Sequence, residues 1–166
     1  MNFILLDIDG VLTTNAYSQR CRHEHRQSDL LGRDWLNPDC VSALRRIIDA
    51  TGAKVVIYTS RKGHGIEELR QCWEINQLPG EITFATHDST TASKKDAILD
   101  WIRVHPNDKY VILSSESLDL NRLVMCTSEI GLTRKETNLA INMMKLPIIQ
   151  TSEKLKKLMS RILDSE

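Results

Sequence analysis

The sequence predicts an α/β fold, a three-layer parallel sheet with helices on both faces, and three observations carry that prediction. The candidate strands are short and continuously apolar, as strands buried on both faces are. Helical segments separate them, the alternation expected of parallel strands joined by crossovers. Three strands end in polar residues: Asp7 and Asp9, Thr59 and Ser60, Ser114 and Ser115. In such sheets ligands bind outside the carboxyl ends of the strands, so these pairs mark the edge where chemistry belongs.

The elements follow in order. Residues 3–6 are an apolar run that stops at Asp7-Ile8-Asp9-Gly10, a strand entering a turn. Residues 13–36 are polar and charged, with Cys21-Arg22-His23-Glu24-His25-Arg26 at their centre, and read as a polar insert beside the site. Asn37-Pro38 supplies an N-cap and a first-turn proline; Val41, Leu44, Ile47 and Ile48 follow at helical spacing, and Gly52 closes the helix. Residues 54–58 form the next strand. Ile66, Leu69, Trp73 and Ile75 mark a helix that stops at Leu78-Pro79-Gly80, and Ile82–Phe84 is a short strand. Ser93 caps a helix carrying Ala97, Ile98, Trp101 and Ile102. Strands at 110–113 and 123–126 come next, then helices at 133–145 and 152–164, the last with a core-facing stripe of Leu155, Leu158, Met159 and Ile162.

With 166 residues the chain fits one domain, taken as 1–166. Lys plus Arg equals Asp plus Glu at 22 each, so no global charge draws it to nucleic acid or to an anionic membrane. Four widely spaced cysteines form no C-x-x-C pair, which argues against a disulfide framework or a zinc site. No apolar run approaches the ~18 residues of a membrane span. With no positively charged leader ahead of Asp7, a cytoplasmic location is expected.

The chemistry concentrates in Leu5-Leu6-Asp7-Ile8-Asp9-Gly10-Val11-Leu12-Thr13. Two carboxylates two residues apart at a strand end can face one ligand. One can attack phosphorus and the other can move a proton to or from the leaving oxygen or water. Asx turns and calcium loops use the same residue types, although the further acids of a calcium loop are missing after Gly10.

This stretch resembles the first motif of the haloacid dehalogenase (HAD) superfamily. Val55-Val56-Ile57-Tyr58-Thr59-Ser60 resembles its second motif, Lys94 and Lys95 open a helix in the manner of the third, and Tyr110-Val111-Ile112-Leu113-Ser114-Ser115-Glu116 occupies the place of the fourth. Over residues 3 to about 145 the chain is similar to small members with a minimal cap, some of them fused to RNA-repair enzymes. The resemblance implies a Rossmann-like fold and a magnesium-dependent phosphatase. Asp7 would be nucleophile and metal ligand, and Asp9 general acid/base with its carbonyl on the metal. Thr59 or Ser60 would bind a phosphoryl oxygen, and Lys94 or Lys95 would neutralise charge at the reacting centre.

One departure bears on the metal. The family's fourth motif supplies one or two aspartates for magnesium where this chain has Ser114 and Ser115, and neutral hydroxyls are poor primary ligands for that ion. Glu116 and Asp119 lie close by in sequence as substitutes. Arg61, directly after the second motif, is a candidate phosphate contact, and His23 with His25 is a weaker metal candidate. Cys40 sits in an apolar helix without a base partner, against nucleophilic thiol chemistry. The expected activity is phosphomonoester hydrolysis through an aspartyl-phosphate at Asp7, on a phosphorylated small molecule or a phosphorylated macromolecule end. The alternatives are a phosphate-binding protein without turnover and a nucleic-acid-end phosphatase.

Overall fold

The computed structural model describes residues 1–29, 34–58, 66–84 and 93–147. Five parallel strands, β1 (Asn2–Leu6), β2 (Lys54–Ile57), β3 (Ile82–Phe84), β4 (Lys109–Ser114) and β5 (Leu123–Met125), form one sheet in the order β3-β2-β1-β4-β5. Leu6 at the end of β1 pairs with Ile57 of β2 and with Leu113 of β4. The chain therefore leaves these three strands at one level of a single edge.

Alternation along the strands divides the apolar side chains between two cores. Ile4, Leu6, Val55, Ile57, Val111 and Leu113 meet the helices α2 (Pro38–Thr51), α3 (Ile66–Ile75) and α5 (Arg134–Lys145) through Leu44, Ile47, Trp73, Ala140 and Met144. Phe3, Leu5, Val56 and Ile112 face the other way, onto Ile98 and Trp101 of α4 (Lys94–Val104). Both faces of the sheet are thus covered, which is why its strands carry no polar alternation. No helix among the described residues is long and apolar enough to cross a membrane.

Local signals set the helix ends as the sequence indicates. Asn37 caps α2 through Asp39 N–H with Pro38 in the first turn, and Gly52 closes it in the left-handed region. Capping boxes open α4 (Ser93 with Asp96) and α5 (Thr133 with Glu136). Strand and helix limits fall within a residue or so of those expected, and the helix expected at 152–164 lies outside the described residues.

The segment 13–36 holds more structure than its polar sequence indicates. It contains a helix, α1 (Asn15–His23), capped by Thr14. Tyr17 and Cys21 pack with Trp35 in a small cluster separate from both main cores. Only Tyr17, Ser18 and Cys21 of α1 are buried, so the apolar stripe that normally betrays an amphipathic helix is too narrow to read.

A turn at residues 127–131 braces α1 and α2. Gly131, at φ +71°, has its N–H on the Thr127 carbonyl, and a Cβ there would stand 2.6 Å from the Val11 carbonyl oxygen and 2.7 Å from Cys40 Sγ. Strain and overlap combine, so Gly131→Ala is expected to destabilise the fold by about 3 kcal/mol. A urea-unfolding midpoint matching that of the parent chain would show that the turn can relax.

Candidate active site

The site begins where β1 ends. Asp7 N–H donates to the Leu113 carbonyl of β4, while on the other side Tyr58 N–H donates to the Leu6 carbonyl. The path from β1 to β2 runs through α2 on one face, and β4 is entered from α4 on the other. The crevice between β1 and β4 is therefore the switch point where ligands bind in such sheets. Asp7 stands in it, fully buried.

Beyond Asp7 the backbone winds tightly, with the N–H groups of Val11, Leu12 and Thr13 all directed at the Ile8 carbonyl. Gly10 makes the turn at φ +72°, and its missing Cβ leaves room for Ser115, whose Oγ would lie 2.4 Å from such an atom. The glycine thus serves both the turn and the approach of the β4 end.

The α4 capping box fixes Lys94 as the first helical residue at this edge. Its Nζ lies 2.6 Å from Asp7 Oδ2 and 2.6 Å from Glu116 Oε1. Lys95, one position on, faces the fully exposed Asp119 at 3.8 Å. Burial pushes the Asp7 carboxyl above its ordinary range, against the opposing pull of the Lys94 ammonium. Burial works to lower the Lys94 pKa, but its bonds to the two carboxylates outweigh that, leaving it above the ordinary lysine value.

The end of β4 carries the two serines. Ser114 is buried and its Oγ accepts from Glu116 N–H. The Ser115 Oγ donates to the Asp9 carbonyl at 3.0 Å. No cluster of three or more metal-ligating side chains occurs among the described residues. One atom nevertheless fits a cation: Asp7 Oδ1 is buried and has no hydrogen-bond partner among the described residues. A buried carboxylate oxygen without a partner is costly, and a hard dication is the natural group to satisfy it. Asp7 Oδ1, the second lone pair of the Asp9 carbonyl and Glu116 are the donors such an ion would draw on here, with water completing its shell.

Asp9 opens onto a cavity of about 320 Å³. Asn15, Ser18, Gln19 and Arg22 from α1 line it, together with Asp34 and Ser115. These α1 residues went unnoticed in the sequence because α1 itself did; the cap signal Thr14 with Asn15 was the available clue. The phosphate contacts expected from Thr59, Ser60 and Arg61 lie outside the described residues. His23 and His25 are exposed. Burial pushes the Cys40 thiol up to about 11, leaving it unreactive near neutral pH. Trp35, Trp73 and Trp101 are all buried.

No curated protein and no solved structure matches the chain. A family model does, described as the HAD domain in Swiss Army Knife RNA repair proteins, and it matches residues 3–137. That span runs from the first residue of the β1 core through the N-terminus of α5, and it includes Asp7, Lys94, Ser114 and Ser115. Together with the five-stranded parallel sheet flanked by helices, it establishes that the chain belongs to the HAD superfamily, in the group of HAD domains of Swiss Army Knife RNA repair proteins.

Proposed function

We propose that the protein is a magnesium-dependent phosphomonoester hydrolase that works through an aspartyl-phosphate at Asp7. The carrying observation is the state of that carboxylate. It is fully buried at the β1/β4 crevice, with one oxygen on the Lys94 ammonium and the other without a hydrogen-bond partner among the described residues. A residue with a purely structural role has no need of so costly an arrangement.

In this reading a carboxylate oxygen of Asp7 attacks phosphorus, and the bond to the leaving oxygen breaks as Asp9 gives that oxygen a proton. Asp9 then takes a proton from water, which attacks the phosphorus of the acyl phosphate. Inorganic phosphate leaves and the Asp7 carboxylate is restored. Lys94 stays protonated throughout and opposes the charge that builds on the phosphoryl oxygens. Magnesium at Asp7 and the Asp9 carbonyl supplies further positive charge against those oxygens when bound. Membership among the HAD domains of RNA repair proteins favours a phosphorylated nucleic-acid end over a phosphorylated small molecule as substrate.

A second reading has its own observation. Ser115 stands where the family has a metal-binding acid, and its hydroxyl already occupies one lone pair of the Asp9 carbonyl. This favours a domain that binds a phosphorylated ligand without turning it over.

The two readings part in one experiment. Purified protein is expected to hydrolyse an aryl phosphate and a phosphorylated oligonucleotide in millimolar magnesium, and to lose both activities in chelator. A folded protein inert toward both substrates would overturn the hydrolase and leave the binding domain.

A further inference from the structure

The cavity beside Asp9 does not end at α1. It shares Thr14 with a second cavity, of about 480 Å³, on the far side of that helix. Arg20 of α1, Arg46 of α2 and Arg134 of α5 all line this second space. None of the three guanidinium groups has a carboxylate partner among the described residues, although Asp39 and Glu129 line the same cavity. Arg20 instead lies over the Tyr17 ring, 5.4 Å from its centre. A third cavity continues from the second through Tyr17 and Ser42, and it is lined by Arg26 and Arg45.

Arginines on three separate helices reach one cavity in a chain whose formal charge is zero, and the two carboxylates that line it, Asp39 and Glu129, pair with none of them among the described residues. The N-caps Thr14, Asn37 and Thr133 line the same space, and the first turns of α1, α2 and α5 add the positive ends of their dipoles. Guanidinium forks suit phosphate oxygens.

We propose that this arginine-lined cavity holds a backbone phosphate of a single-stranded oligonucleotide whose terminal phosphate sits at Asp7. The inference rests on the hydrolase reading for the terminal site, and it adds the route that the rest of the strand takes. The argument is one of continuity. Asp9, which protonates the leaving oxygen, lines the first cavity, so the terminal nucleoside lies there beside Gln19 and Arg22. The strand then passes over the exposed first turn of α1, at Asn15 and Ala16, and its next phosphates meet Arg20, Arg46 and Arg134.

The test compares an aryl phosphate with oligouridylates of one, two, four and eight nucleotides carrying a 5′- or a 3′-phosphate. For the parent protein, kcat/KM is expected to rise with length and level off once the second cavity is filled. Arg46→Ala/Arg134→Ala is expected to remove about tenfold or more of that gain, mainly through KM, and to leave aryl phosphate turnover unchanged. The salt dependence of oligonucleotide binding should weaken as well, its log–log slope falling by about 1.4 for two lost phosphate contacts. Both arginines are exposed, and Arg46→Gln/Arg134→Gln with a thermal melt serves as the control for folding.

Aryl phosphate turnover with no length dependence, or with a length dependence the double variant keeps, overturns the cavity proposal and leaves the hydrolase standing. If nothing is turned over, fluorescence anisotropy with the same oligouridylates decides it independently. Binding that requires Arg46 and Arg134 supports the strand route, and binding indifferent to them, or none, overturns it.

Discussion

Asp7→Asn is expected to reduce phosphomonoester turnover by about 10⁴-fold or more while leaving the fold intact. An amide is nearly the same shape as a carboxylate but cannot form an acyl phosphate under these conditions. Its effect on stability should be small and of either sign, because two changes oppose each other. The variant removes a fully buried carboxylate whose charged form burial disfavours, and it also removes the partner of Lys94. Lys94 keeps its 2.6 Å contact with Glu116, so the ammonium is not stranded. Two readouts separate a lost nucleophile from a damaged site. Acid-quenched parent protein should carry a phosphoryl group on the peptide containing Asp7, and the variant should carry none. Magnesium should raise the melting temperature of the parent and do so much less in the variant, since Oδ1 is the acceptor without a partner among the described residues. Substantial turnover by Asp7→Asn would remove the nucleophile from Asp7 and with it the mechanism.

How far the sequence alone reaches can be judged from particular residues. β1, β2 and β4 are legible because both faces of the sheet are covered, so their apolar runs have no interruption until Asp7, Thr59 and Ser114 in the sequence. The caps at Asn37 and Ser93 are legible because capping is local chemistry. Lys94 and Lys95 show the limit of that reasoning. Adjacent residues in a first turn differ by about 100° in direction, and nothing local says which one meets Asp7; the packing of α4 on the sheet directs Lys94 there and Lys95 toward Asp119. α1 was missed for a different reason. Its apolar burial is confined to a cluster of three side chains that includes Trp35, more than ten residues beyond its own end, and no window along the chain contains that partnership. The bond from Ser115 to the Asp9 carbonyl joins residues 106 positions apart and depends on Gly10 having no side chain.

Lys94→Met should slow turnover by about 10²- to 10³-fold, the usual consequence of losing one fixed positive group at a reacting phosphoryl centre. It should also destabilise the magnesium-free protein by about 3 kcal/mol. The second effect follows from geometry. Asp7 is wholly buried and the Lys94 side chain is only 12% exposed, so the pair lies largely out of water. Removing the cation leaves a buried carboxylate with no cationic partner among the described residues, which must then remain ionised at a cost or take up a proton. Methionine fills most of the volume, so the loss is electrostatic rather than one of packing. A double-mutant cycle isolates it. In the Asp7→Asn background the same substitution should cost less by about 2 kcal/mol, because no buried charge remains to be stranded. Glu116, more than half exposed, can return to water and contributes little to that coupling. Magnesium supplies the missing positive charge, so the Lys94→Met deficit should shrink in millimolar magnesium while that of Asp7→Asn/Lys94→Met does not change. Equal deficits with and without magnesium would mean that the ion does not reach Asp7, and the serines at the end of β4 would then mark a site that has given up its metal.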